Sequence, residues 1–141
     1  MNALGALRDL TGKGGRKQTT MTWTSVSIVV ALSAILLLAK SRGRVSTKDA
    51  RQYLRTGAVV IDVRSAGEFT AGHLARAINI PLSEIESVIA RKVKDKNQVL
   101  LLHCNSGARS GEARRKLKAM GYTQAFNLGS YGRAAEILSG R

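Results

Sequence analysis

The stretch that decides the fold is HCNSGARS, residues 103–110, which joins an apolar block to a helix-like segment through a short loop containing glycine. The block before it, QVLLLH at residues 98–103, is too short for a buried helix and predicts an interior strand. After it, apolar residues recur at helical spacing until Gly121, where a helix would end. The sequence therefore predicts that Cys104 lies on a strand-to-helix turn.

Such a turn suits a cysteine nucleophile. The first N–H groups of a helix have no internal partner and carry the positive end of the helix dipole. Gly107 lets the loop curl with φ > 0, so that successive amides can converge on one anion. Arg109 adds a fixed positive charge. We therefore expect Cys104 to be a thiolate at neutral pH. The predicted anion-binding residues are Asn105, Ser106, Gly107, Ala108 and Arg109.

Two motifs carry a resemblance to a known family. The pattern Cys104-x-x-Gly107-x-Arg109-Ser110 resembles the active-site loop of rhodanese-like sulfurtransferases. Residues 61–81 are similar to the second signature of that family. Its residues are matched by Asp62, Arg64, Glu68, Phe69, Gly72, His73, Asn79 and Pro81. The resemblance covers about residues 45–138 and implies a three-layer α/β domain with a central, mostly parallel sheet.

The resemblance also implies a reaction. In it, Cys104 takes the outer sulfur of a small anionic donor such as thiosulfate, and a thiol or cyanide acceptor then removes that sulfur from the Cys104 persulfide. No organic cofactor or metal is expected. Asn105 stands where an arginine often follows the cysteine in this family, so thiosulfate need not be the best donor. The alternative is a rhodanese-like module that binds a partner, or relays sulfur within a complex, without independent turnover.

Cysteine phosphatases are a competing interpretation, because they also place a cysteine, a loop and an arginine in this order. Those enzymes have five residues between the cysteine and the arginine, whereas this chain has four, 105–108. The shorter loop favours a sulfur atom on the cysteine over a phosphoryl group.

Polar residues at the ends of the two predicted strands are candidates for supporting roles. Asp62 follows an apolar run, and we expect it either to orient the active loop, by accepting its amides or an arginine, or to cap the next short helix. Ser110 is a second candidate for orienting the loop. Arg64 and Glu68, four residues apart, predict a structural ion pair.

The two histidines are predicted to stand outside the chemistry. His73 belongs to the Gly-His element of the second signature and is expected to be structural. His103 immediately precedes Cys104 on a strand, where adjacent side chains point to opposite faces. It is therefore poorly placed to take the cysteine proton.

Composition narrows the remaining possibilities. The chain has 141 residues, one cysteine and two histidines, which excludes an internal disulfide and makes a zinc cluster improbable. Its net charge is +14, but it has only six aromatic residues and no recognisable nucleic-acid module, so nucleic-acid binding is not expected. The charge fits anionic substrates or an anionic lipid surface more simply.

The N-terminal region predicts a membrane segment. Residues 1–18 are interpreted as a basic flexible leader, residues 19–40 as a transmembrane helix or signal peptide, and residues 41–141 as the domain. Small residues allow signal cleavage at 39–41, but Lys40 between them favours an uncleaved single-pass anchor. Positive charges on the two sides nearly balance. The cytoplasmic side is favoured for the domain, and export after cleavage is the alternative.

Overall fold

The structure is a computed structural model and describes residues 23–41 and 43–140. The predicted leader, 1–18, lies outside the described residues. The chain divides into two compact units, 1–39 and 40–141. The first unit holds most of helix α1, Trp23–Ser41.

Helix α1 exposes its apolar side chains. From Val26 to Ile35 every residue is exposed, and Val30 retains 62% of its accessible surface. None of the helices in the described residues has both the length and the apolar character required of a membrane span. The predicted segment, 19–40, begins before the described residues.

The second unit is an α/β domain. Its helices are α2 (Thr47–Arg55), α3 (Ala66–Ala71), α4 (Ile85–Lys92), α5 (Ala108–Ala119) and α6 (Tyr131–Leu138), with a 3-10 turn at Leu82–Glu84 before α4. Its strands are β1 (Val59–Asp62), β2 (Ala77–Asn79), β3 (Leu100–Cys104) and β4 (Ala125–Ser130). The four strands form one parallel sheet in the order β2-β1-β3-β4.

Strand β3 lies between β1 and β4, and the burial of its side chains shows that helices cover both faces of the sheet. All five of its side chains are buried, as expected for a strand covered by helices on both faces. Leu100, Leu102 and Cys104 belong to the core on the α4 and α5 side, whereas Leu101 belongs to the core beneath α2 and α6. The predicted three-layer domain with a parallel sheet is confirmed.

The parallel register brings three strand ends to one edge. Asp62 of β1 pairs with His103 of β3, and Cys104 of β3 pairs with Ser130 of β4. A register shift falls between Leu102 and His103. The carboxyl ends of these strands are therefore neighbours, and ligand sites of open α/β sheets form at this edge.

Local signals account for most helix starts. Ser46 caps α2 by accepting the Asp49 amide. Ser65 and Glu68 form a complete capping box at α3. Gly107 precedes α5 with φ 94°, a left-handed conformation that glycine adopts without strain.

Candidate active site

Cys104 ends β3, and the chain turns into α5 within three residues. Gly107 supplies the positive φ that the turn requires, and its N–H donates to Cys104 Sγ at an N···S distance of 3.0 Å. The Ser110 hydroxyl lies 3.6 Å from the same sulfur. The sulfur therefore faces polar donors of the loop, although the residue packs in an apolar core.

The balance of burial and hydrogen bonding favours the thiolate. Burial raises the pKa of the Cys104 thiol, because the charged form loses water. The amide and hydroxyl of Ser110 and the amides of Gly107 and Ser106 lower it, and together they outweigh burial. The net pKa of Cys104 is lowered. The converging donors are thus Ser106, Gly107 and Ser110, within the predicted loop and just beyond it.

Cys104 is also closed to solvent in this state, with no exposed surface. A donor molecule therefore reaches Sγ only after side chains or the loop move. A cavity of about 420 Å³ lies nearby, and Arg109 lines it. Its other lining residues are Val63, Ser65, Pro81, Leu82, Ser83, Glu112 and Lys116.

Arg109 does not present its guanidinium free to an anion. Its two terminal nitrogens donate to the two carboxylate oxygens of Glu68 at 2.6 and 2.8 Å. The Arg109 hydrogen bond, followed by the Ser65 amide, lowers the pKa of Glu68 to about 2. The same bond raises the pKa of Arg109. The Glu68 carboxylate therefore binds the guanidinium of Arg109, which the sequence predicted would bind the substrate anion.

The predicted ion pair between Arg64 and Glu68 is wrong. Helical i,i+4 pairing requires both residues on one helix, but Arg64 precedes the cap of α3 and lies outside it. Arg64 instead pairs with Asp62 at 2.7 Å and donates to the Gly72 carbonyl at 2.8 Å. The Asp62 hydrogen bond raises the pKa of Arg64 despite burial.

Asp62 is fully buried and accepts hydrogen bonds from an arginine, but it does not orient the active loop as one of the two alternatives expected. That arginine is Arg64, and Asp62 makes no hydrogen bond to the active loop. It does not cap α3, since Ser65 does. The carboxylate also lies 3.9 Å from His103 Nε2.

His103 lies on the opposite face of β3 from Cys104. It is fully buried, packs edge-on against Tyr131, and neither ring nitrogen has a hydrogen-bond partner among the described residues. Burial lowers the pKa of His103 more than nearby Asp62 raises it. This neutral imidazole does not contact the cysteine sulfur.

The remaining predicted residues are exposed. Asn105 and Ala108 are exposed, and the Asn105 carbonyl accepts the Tyr131 amide. His73 is exposed and stacks on Phe69 with ring centroids 4.0 Å apart. Among the described residues, no three His, Cys, Asp or Glu side chains are grouped to hold a metal ion.

Sequence reasoning missed Asn127 of β4, which supports the loop from below. Its Oδ1 accepts the Ser110 hydroxyl at 2.8 Å and the Gly129 amide at 2.9 Å, and its Nδ2 donates to the Gly107 carbonyl at 3.1 Å. The Ser110 hydroxyl has a single proton to share between this oxygen and the sulfur. The sequence held one signal for this role: an asparagine lies inside an apolar strand, although asparagine is depleted in strands.

A cysteine that accepts a main-chain N–H at the carboxyl edge of a parallel sheet defines the class: an α/β domain with a cysteine site. The Rhodanese-like domain family matches residues 46–132. The chain belongs to this family.

Relatives and solved structures agree with that assignment. The thiosulfate sulfurtransferase PspE of Escherichia coli is 45% identical over 49% of this chain and 66% of its own length. The human thiosulfate:glutathione sulfurtransferase is 36% identical over 59% of this chain and 84% of its own. The structure of the human single-domain sulfurtransferase TSTD1 has a TM-score of 0.57 and 30% identity, covering 68% of this chain and 97% of that one. A structure of an E. coli rhodanese with anions has a TM-score of 0.53 and 40% identity, covering 55% and 91%.

Proposed function

We propose that this chain transfers a sulfane sulfur from a small anionic donor to a thiophilic acceptor through a persulfide on Cys104. It is a rhodanese-type sulfurtransferase. The observation that carries this proposal is the Gly107 amide directed at Sγ, together with the lowered pKa of Cys104. The family match and the two sulfurtransferase relatives support it.

The first half-reaction loads sulfur. The Cys104 thiolate attacks the outer sulfur of thiosulfate, the S–S bond of the donor breaks, and its electron pair leaves with sulfite. The product is a Cys104 persulfide with its negative charge on the terminal sulfur. The loop amides that lower the pKa of Cys104 are suited to that anion as well, because N–H donors stabilise negative charge on the terminal sulfur.

The second half-reaction unloads sulfur. A cyanide or thiolate acceptor attacks the terminal sulfur, and the electron pair of the breaking S–S bond returns to Cys104. The products with cyanide are thiocyanate and the original thiolate. Covalent catalysis of this kind divides one transfer into two steps and predicts ping-pong kinetics.

Arg109 supplies the charge that recognises the donor, and Glu68 is its competitor. An anionic donor takes the guanidinium only by displacing the carboxylate, which is partly exposed. Exposed ion pairs are weak, so a doubly charged donor can replace Glu68 at low cost. The cavity beside Arg109 gives the donor a place to bind before the loop admits it to Sγ.

The preferred donor depends on charge near the cysteine. Asn105 adds none, so Arg109 and the loop amides carry the recognition. Thiosulfate and glutathione persulfide are the donors to compare, and cyanide and glutathione are the acceptors. The names of the relatives motivate the choice of thiosulfate and glutathione.

Mass spectrometry of the intact chain after thiosulfate treatment tests the proposal. We expect the wild type to gain one sulfur atom, and Cys104→Ser to gain none. Cyanide should then remove that sulfur and release an equal amount of thiocyanate. A chain that gains no sulfur from any sulfane donor would refute the enzyme and favour the binding module.

We also propose that residues 19–40 attach the domain to a membrane, with the domain on the cytoplasmic side. The absence of charge between Gln18 and Ala39 and the exposed apolar side chains from Val26 to Ile35 support this. Resistance of the chain to alkaline carbonate extraction, with the intact mass showing no cleavage at 39–41, tests the attachment. Protease accessibility in inverted vesicles tests the side.

A further inference from the structure

A second cavity, far from the active loop along the strands, is the feature that the sulfur-transfer chemistry leaves unused. It has a volume of about 690 Å³, within the usual range for a small-molecule site. Val59 and Val60 at the start of β1 line it, whereas Cys104 lies at the opposite, carboxyl edge of the sheet. The end of α2, the turn before β2 and the end of α6 complete its walls.

The floor of this cavity is apolar. Leu54, Leu74 and Leu138 line it and remain only partly buried, and Ile137 adds a buried side chain. These residues belong to, or pack against, the core between the sheet and α2 and α6. An apolar chain placed here would complete their burial, which is favourable in proportion to the area removed from water.

The rim is cationic and unneutralised. Arg51, Arg55 and Arg76 line the cavity, and none of the described residues lining it is acidic. None of the three arginines makes an ion pair within the described part of the chain. The Arg51 Nε is buried and has no hydrogen-bond partner there. A buried donor of this kind lacks a compensating acceptor.

Arg76 adds a second observation. It is the sole non-glycine residue with positive φ in the described part of the chain, at 70°. This conformation is uncommon for a residue with a side chain, and it occurs here at a residue that lines the cavity.

We propose that this cavity binds an amphipathic carboxylate, a molecule with an apolar body and one anionic end. The apolar floor takes the body, and the arginine rim takes the carboxylate by charge-assisted hydrogen bonds. Another candidate occupant, the N-terminal segment of residues 1–22, carries four Lys and Arg against one Asp. The cationic rim disfavours that basic segment.

Binding of decanoate to the full-length chain, below the concentration at which decanoate forms micelles, tests this proposal. Calorimetry should show one site, and methyl NMR shifts should concentrate at Leu54, Leu74 and Ile137. Decylammonium, which has the same apolar chain and the opposite charge, should bind more weakly by at least about tenfold, the cost of losing a charge-assisted hydrogen bond.

Paired charge reversals identify the rim. Arg55→Glu with Arg76→Glu should weaken decanoate by at least about tenfold, whereas Arg91→Glu with Lys94→Glu, the same charge change at exposed positions elsewhere, should not. Both double variants should keep wild-type sulfur transfer, which separates this proposal from the catalytic one. If the first pair does not fold, Arg55→Gln with Arg76→Gln makes the same comparison. Equal binding of decanoate and decylammonium, undiminished binding in the rim variant, or no binding at all would overturn the proposal.

Discussion

Replacing Asn127 with alanine removes the side chain that ties the active loop to β4. Three hydrogen bonds disappear: those from the Ser110 hydroxyl and the Gly129 amide, and the one to the Gly107 carbonyl. Asn127 is only 7% exposed, so water does not replace these bonds readily. The change therefore tests whether the loop is held from below.

The loss in the free energy of unfolding depends on which of the freed groups can form another hydrogen bond. The Ser110 hydroxyl lies 3.1 Å from the Gly107 carbonyl, so these two groups can satisfy each other. The buried Gly129 amide loses its side-chain acceptor. Leaving one buried donor unpaired costs about 1–3 kcal/mol, and the lost packing adds to it, so the free energy of unfolding should fall by about 2–3 kcal/mol.

Urea unfolding of Asn127→Ala, monitored by circular dichroism, measures that loss. Asn97→Ala is the matched control, because Asn97 is exposed and its side chain makes no hydrogen bond in the described part of the chain. This substitution should change the free energy of unfolding by less than about 0.5 kcal/mol. A loss below about 0.5 kcal/mol for Asn127→Ala as well would refute the reasoning.

Two further substitutions probe the site through three measurements. Glu68→Gln keeps the capping box but frees Arg109, so the KM for thiosulfate should fall by about two- to fivefold in steady-state assays, and a rise would contradict the competitor role. The pKa of Glu68 is lowered from 4.5 to about 2 in the folded chain. Any stability advantage of the wild type over Glu68→Gln should therefore be present above pH 4.5 and be lost as the pH falls through about 2. Acid unfolding of the two proteins measures this difference. Gly107→Ala forces a side chain into φ 94° and places its Cβ 3.3 Å from Gly129 backbone atoms; urea unfolding should show a loss of about 1–2 kcal/mol or more, with sulfur transfer reduced, and wild-type values would contradict the geometry.

The main architecture could be predicted because its signals are local. A fully buried strand reads as an unbroken apolar run, and residues 98–103 showed one for β3. The capping serine of α2 and the glycine of the active loop were also visible in the sequence. Strand β2 was missed, because its three half-buried residues carry no pattern that separates them from a loop.

The pairing of charges could not be predicted, because it depends on tertiary geometry. Sequence spacing suggested that Glu68 meets Arg64, but the helix begins at Ala66, two residues after Arg64. Glu68 instead reaches Arg109, which is 41 residues away along the chain. The support from Asn127 is similarly non-local, since it joins β4 to the start of α5. Local propensity carries no information about either contact.

Titration of the Cys104 thiolate tests the central claim most directly. Ultraviolet absorbance of the thiolate is followed against pH for the folded chain, with Cys104→Ser as the blank and the urea-unfolded chain as the reference. The folded chain should ionise at a lower pH than the unfolded chain, because the Gly107, Ser106 and Ser110 donors favour the thiolate more than burial opposes it. Ionisation at the same or a higher pH than in the unfolded chain would contradict the account.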